Sequence, residues 1–63
     1  MFVLQEDATG RRATVTDFGW RFRPSRGQGF RSRALAEKVL IEVHESFALQ
    51  GRTLGEVTIV SVG

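Results

Sequence analysis

One segment of the sequence, between Ser32 and Gly51, has the pattern of a core-facing helix and constrains the rest of the fold. Ser32 suits the N-cap of this helix, and Gly51 suits the left-handed position that follows the last helical turn. Between them the apolar residues recur at helical spacing and form a stripe about 140° wide. The stripe consists of Leu35, Ala36, Val39, Leu40, Val43 and Phe47. Because an isolated helix of this length is marginal in water, the stripe predicts a packing partner in the remaining residues.

Most of the remaining apolar residues alternate with polar ones, which is typical of β-strands. We expect a short strand at residues 2–5, followed by a turn at 6–10 that ends on a left-handed glycine. A long strand is predicted at 12–23, bent or bulged at Gly19. A last strand is predicted at 57–62, and its residues are apolar on both faces, as in the centre of a sheet.

The alternation along the predicted long strand divides its side chains between two faces. One face carries Thr14, Thr16, Phe18, Trp20 and Phe22. The other face carries Ala13, Val15, Asp17, Gly19, Arg21 and Arg23. A chain of 63 residues has few large side chains for a core, so we expect the aromatic face to pack under the helix and the arginines to face solvent. Stacking of nucleic-acid bases on exposed aromatic side chains is the alternative for the same face.

These elements predict an α+β fold, a small two-layer ββαβ sandwich in which one helix packs on a three-stranded, mainly antiparallel sheet. Residues 1–63 form a single domain in this prediction. The sequence has no cysteine and one histidine, so neither a disulfide nor a structural metal is expected to stabilise so small a core. We therefore expect the second face of the sheet to be solvated or covered by a partner. No membrane segment or signal peptide is recognisable, which predicts a soluble, cytoplasmic protein.

Positive charge is concentrated in one stretch of the chain. Eight of the nine cationic residues are arginine, the side chain that binds phosphate bidentately. No acidic residue lies between Phe18 and Ala36. That stretch contains Arg21, Arg23, Arg26, Arg31 and Arg33. An acid-free basic segment favours an anionic partner, and nucleic acid is the partner that we expect. High arginine use that reflects genome composition is the alternative explanation.

The loop before the helix contains two glycines, Gly27 and Gly29, among these arginines. Glycines at the start of a helix leave backbone N–H groups free to bind an anion, which makes the pair a predicted anion-binding loop. The alternative is that the two glycines only allow the chain to turn sharply onto the helix.

The motifs of enzyme chemistry are incomplete in this chain. Asp17-Phe18-Gly19 lacks the other kinase motifs, and His44 has Ala48 where a zinc protease has its second histidine. The serines have no plausible base in the sequence, because only that one histidine could serve them. We therefore expect no enzyme activity, no catalytic residue, no metal site and no cofactor.

Two functions from different classes agree with the sequence. The first is a small nucleic-acid-binding module that contacts phosphates through the five arginines named above. The second is a protein-interaction module, such as a regulator, inhibitor or subunit, that acts through the open sheet face or through a seam on the helix. The seam consists of Ala34, Ile41 and Ala48, which recur every seven residues on the side away from the core. It is also a candidate surface for a homodimer.

Overall fold

The computed structural model describes residues 1–63 and has four strands and one helix. The elements are β1 (Phe2–Glu6), β2 (Arg12–Thr16), β3 (Gly19–Arg23), α1 (Arg33–Leu49) and β4 (Val57–Ser61). The strands form one sheet in the order β3-β2-β1-β4, and every neighbouring pair is antiparallel. The prediction of an α+β fold with one helix and an antiparallel sheet is confirmed, whereas the sheet has four strands and not three.

The predicted long strand is in fact two strands joined by a tight hairpin. Thr16 pairs with Gly19, so Asp17 and Phe18 form a two-residue turn where a bend was expected. The Thr16 hydroxyl donates to the Gly19 carbonyl at 2.8 Å and accepts from the Phe18 N–H at 3.2 Å, while Gly19 has a φ of +95°. Phe18, predicted to pack under the helix, is 80% exposed in this turn.

The register of the hairpin changes the predicted faces of β2. Ala13 lies opposite Phe22 and Val15 lies opposite Trp20, so all four side chains share the face toward α1. The prediction that Ala13 and Val15 share a face with the arginines is wrong, because a two-residue turn places odd-numbered residues opposite even-numbered ones. The expected position of Trp20 and Phe22 on the helix side is confirmed, since both pack against the core.

Both predicted ends of the helix are confirmed. The Ser32 side chain accepts a hydrogen bond of 3.1 Å from the N–H three residues later, and its backbone is extended, as an N-cap requires. At the other end Gly51 has a φ of +68° and donates to the Ala48 carbonyl at 3.0 Å. Arg52 donates to the Phe47 carbonyl at 2.9 Å. This pair of hydrogen bonds is the Schellman motif, which ends the helix at a fixed residue.

The core lies between α1 and one face of the sheet. Its buried residues are Leu4, Ala13, Phe30, Ala36, Val43 and Phe47. Phe22 contacts Phe47 edge-to-face, with ring centroids 5.8 Å apart, whereas the Trp20 ring centroid lies 6.4 Å from that of Phe30. The aromatic side chains of β3 therefore bridge the helix and the loop that precedes it.

β1 and β2 are joined at only one end, where Gln5 pairs with Arg12. Beyond this pair the loop before α1 fills the gap between the two strands. The Gln28 N–H donates to the Ala13 carbonyl at 2.8 Å, and Phe30 exchanges two backbone hydrogen bonds, of 2.9 and 2.7 Å, with the first residue of β1. Since its backbone is bonded to both strands, this loop holds its arginines at defined positions.

β4 lies at the edge of the sheet and not at its centre. It pairs with β1 alone, from Val57 opposite Glu6 to Ser61 opposite Phe2. The apolar character of both faces suggested a central strand, but such residues also suit a half-buried surface. Val57 and Ile59 pack against the core, and Val60 is half-buried on the opposite face.

Candidate nucleic-acid interface

Arginine and threonine side chains occupy the face of β2 and β3 that points away from α1, which we call the outer face. It carries Arg12, Thr14 and Thr16 from β2 and Arg21 and Arg23 from β3. Arg12 lies directly opposite Arg23, and Thr14 lies opposite Arg21. Like charges in such cross-strand positions repel each other, so an anion bound between them would relieve an unfavourable contact.

Arg12 is held across the outer face by two hydrogen bonds. Its Nε donates to Gln5 Oε1 at 3.0 Å, and its Nη1 donates to the Arg26 carbonyl at 3.3 Å. Arg12 was not among the predicted phosphate-binding residues, because it lies outside the acid-free stretch that contains them. One feature of the sequence does indicate the hairpin. The apolar residues have odd numbers in β2, such as Val15, and even numbers in β3, such as Trp20.

Two of the predicted phosphate-binding residues, Arg23 and Arg26, lie beside Arg12. Arg23 is the last residue of β3, Arg26 is in the following loop, and both are exposed. The structure thus brings together three arginines at one end of the outer face, and we call Arg12, Arg23 and Arg26 the arginine cluster.

Arg21 makes contacts that stabilise the fold. Its Nη1 donates to the Trp20 carbonyl at 2.9 Å and to Gln50 Oε1 at 3.2 Å, and Gln50 in turn donates to the Ser46 hydroxyl at 3.1 Å. These bonds tie the edge strand to the C-terminal end of α1, where the helix dipole favours a cation. Phosphate binding by Arg21 remains a prediction, and it would compete with this structural role.

The other two predicted residues, Arg31 and Arg33, form a separate group at the start of α1. Both are exposed, and the guanidinium carbon of Arg33 lies 5.5 Å from the centre of the Phe2 ring. Arg12 of the arginine cluster bonds Gln5, and Phe2 lies three residues before Gln5 on β1. The Arg33 guanidinium beside Phe2 is therefore about 10 Å from the arginine cluster along this strand. Phosphate binding by Arg31 and Arg33 remains a prediction.

The two glycines of the loop have close neighbours. Gly27 has a φ of +77°, and a Cβ there would lie 2.6 Å from the Arg12 Cβ. A Cβ on Gly29 would meet the sulfur of Met1. Both glycines therefore allow close packing of the loop, which supports the structural explanation, and anion binding by their N–H groups remains a prediction.

The outer face of β2 and β3 carries basic side chains and no acidic one. The hydrogen bonds that the outer-face arginines make all end on neutral amide or carbonyl oxygens. Three acidic residues of α1, Glu37, Glu42 and Glu45, are exposed on the helix side. The same helix carries Arg33 and Lys38, so its acidic residues are partly balanced, and the excess of positive charge lies on the outer face.

The predicted seam of α1 is exposed to solvent. Ala34, Ile41 and Ala48 are all exposed, with 61% of the Ile41 surface accessible. Leu49 beside them is 90% exposed. The seam is accessible for contact, and self-association through it remains a prediction.

The structure contains no pocket, and no group of three or more histidine, cysteine, aspartate or glutamate side chains is placed to hold a metal ion. No helix combines the length and apolar character needed to cross a bilayer. Comparison of the chain with known protein families, with curated proteins and with solved structures finds no match.

Proposed function

We propose that this protein is a small nucleic-acid-binding module that contacts phosphates through its arginine cluster. The observation that supports this function is the position of Arg12, Arg23 and Arg26 at one end of the outer face, where their guanidinium groups bond no carboxylate. Guanidinium groups bind phosphate oxygens in pairs, and Arg12 is already oriented by its bonds to protein oxygens. Little side-chain entropy is therefore lost when Arg12 binds a phosphate.

The proposed binding depends on the backbone of the nucleic acid and not on base stacking. Trp20 and Phe22 pack against Phe30 and Phe47 on the helix side, so the outer face offers no aromatic ring to a base. Contacts to phosphates position a protein on nucleic acid without reading its sequence. We therefore expect binding that is largely independent of sequence and weakens as salt concentration rises.

Replacing both Arg23 and Arg26 with glutamine is the direct test of the cluster. Each phosphate contact on duplex DNA contributes about −0.9 to the slope of log affinity against log salt concentration. The double variant should therefore reduce the magnitude of the slope by about two units. Both side chains are exposed, so the fold should be unchanged. The measurement is a fluorescence titration of labelled duplex and single strand at several salt concentrations.

Arg52→Gln is the matched control for this experiment. Arg52 is also exposed, but it lies after α1 with its guanidinium carbon 5.1 Å from the centre of the Phe47 ring. The loss of this charge should change the slope much less than the double substitution does. Because Arg52→Gln removes one charge and the double variant removes two, a change in slope half that of the double variant would show that net charge matters and the position of the cluster does not.

The alternative function is a protein-interaction module that acts through the seam of α1. The exposure of Ile41 and Leu49 favours it, because large apolar side chains on a small surface are typical of contact sites. Under this alternative, Ile41→Glu abolishes partner binding or splits a homodimer without unfolding the chain, and the arginine substitutions have no effect.

A further inference from the structure

The outer edge of β4 carries unpaired backbone groups. Val62 donates to the Met1 carbonyl at 2.7 Å, and Asp7 donates to the Glu56 carbonyl at 2.9 Å, so even-numbered residues of this segment bond to β1. In an antiparallel ladder the residues between them point their N–H and C=O groups the other way. Those residues are Val57, Ile59 and Ser61. Their N–H and C=O groups point away from β1, at the edge where no further strand pairs, whereas the side chains of Val57 and Ile59 pack against the core.

This edge lacks the features that usually prevent strands from pairing between molecules. β4 contains no charged residue and no proline. The opposite edge, β3, carries Arg21 and Arg23, and the Arg21 guanidinium already occupies the Trp20 carbonyl at 2.9 Å. Charged side chains on an edge strand discourage pairing with another chain, whereas an uncharged β-branched edge invites it. The two edges of this sheet therefore differ in their capacity to accept a strand.

We infer that β4 pairs with β4 of a second copy of this chain, antiparallel and about a two-fold axis at Ile59. In this register Ile59 lies opposite its own copy, and Val57 lies opposite Ser61 of the second copy. The three outward-facing residues of each strand then exchange about six backbone hydrogen bonds. The result is a continuous antiparallel sheet that joins the two molecules and removes both free edges.

A second copy suits this edge because the strand is its own complement. In this register Ile59 lies opposite Ile59 of the second copy, and the paired segment contains no charged residue that could meet a like charge. Pairing also covers Ile59 and Val60, which are only half-buried in the single chain. Seven of the 63 residues are buried, and so small a core gains stability from additional buried apolar surface.

Dimerisation through β4 would also place two arginine clusters in one particle. The consequence for DNA binding that follows rests on the proposed function. The two-fold axis is perpendicular to the sheet, so both outer faces lie on the same side of the dimer. At about 4.8 Å per strand, the centres of the two β2–β3 hairpins are about 30 Å apart. This distance is close to the roughly 34 Å of one turn of duplex DNA, so both arginine clusters could contact one side of the same duplex.

The test is sedimentation equilibrium over a range of protein concentrations, without nucleic acid. The wild type should show a monomer–dimer equilibrium. Ser61→Pro removes an outward-facing N–H and no bond to β1, and we expect it to raise the dimer dissociation constant by about tenfold or more. Thr58→Lys, which places a charge beside Val60 of the second copy, should act in the same direction. Circular dichroism verifies that both variants are folded.

Ile41→Glu is the control, because it changes the exposed side of α1 and leaves β4 intact. It should leave the dimer unchanged. A dimer that Ile41→Glu splits and Ser61→Pro does not would overturn the inference in favour of the helix seam. If the wild-type protein stays monomeric at all concentrations, the inference is also overturned. A strand of another protein would then be the remaining candidate to pair with the free edge of β4. Salt-dependent DNA binding by such a monomer would leave the proposed function standing.

Discussion

Val43→Asp is expected to unfold the protein. Val43 is fully buried in the middle of α1 and belongs to the core cluster. A carboxylate at this position has no partner, and an uncompensated buried charge costs about 3–5 kcal/mol. A chain of this size has a free energy of unfolding of roughly 3–9 kcal/mol, so the substitution removes much or all of its stability. Far-UV circular dichroism and a thermal melt measure the loss.

Ile41→Asp is the matched control, since it makes the same chemical change two residues away on the exposed side of the helix. Ile41 is 61% exposed, so its replacement should leave the melting temperature within a few degrees of the wild type. A cooperative melt of the Val43→Asp variant near the wild-type temperature would show that the buried stripe is not the core.

Gly27→Ala is expected to have the second largest effect on stability. Gly27 has a φ of +77°, which costs a residue with a side chain about 1–2 kcal/mol. The new Cβ would also lie 2.6 Å from the Arg12 Cβ and 3.4 Å from the Ala13 carbonyl oxygen, so the loop must move away from β2. We expect a total loss of about 2–4 kcal/mol in the free energy of unfolding. Urea denaturation measures it.

Gly10→Ala separates the two causes. Gly10 has a similar φ of +72°, but a Cβ there meets nothing within 4 Å. This variant should therefore lose only the conformational part, about 1–2 kcal/mol. Equal losses for the two variants would contradict the close packing of the loop on β2. If the packing is correct, Gly27→Ala should also weaken nucleic-acid binding, because it displaces both Arg12 and Arg26.

The elements that the sequence predicted correctly are those whose signals are local. The N-cap at Ser32 and the left-handed Gly51 each act within one turn of the helix, and both were found where expected. The left-handed glycine of the first turn, Gly10, was equally predictable, since it follows from the length and composition of residues 6–10. Local signals of this kind do not depend on how the sheet is assembled.

The errors arose where one residue pattern fits two topologies. A continuous strand and a hairpin both alternate in hydrophobicity, and only the change from odd to even positions between Val15 and Trp20 distinguishes them. The position of β4 at the edge was likewise not predictable from composition. It depends on the pairing of β4 with β1 alone, which joins segments at opposite ends of the chain.

The candidate site was partly predictable for the same reasons. Arg23 and Arg26 were identified from the acid-free stretch, and the structure places them together. The position of Arg12 in the arginine cluster depends on the pairing of β2 with β3. The hydrogen bond from Arg21 to Gln50 joins residues 29 positions apart in the chain. Neither of these has a local signature, because both follow from long-range contacts. The sequence therefore predicted which charges are unbalanced, and the fold determined which of them lie together.

The salt dependence of duplex binding by the wild-type protein decides whether the protein binds nucleic acid through its phosphates. If three to five phosphates are contacted, log affinity should fall against log salt concentration with a slope of roughly −3 to −4.5. Duplexes of different base sequence should give nearly the same values, because the proposed contacts are to the phosphate backbone and not to the bases. No binding at low salt, or an affinity that does not change with salt, would contradict the account and favour a protein partner.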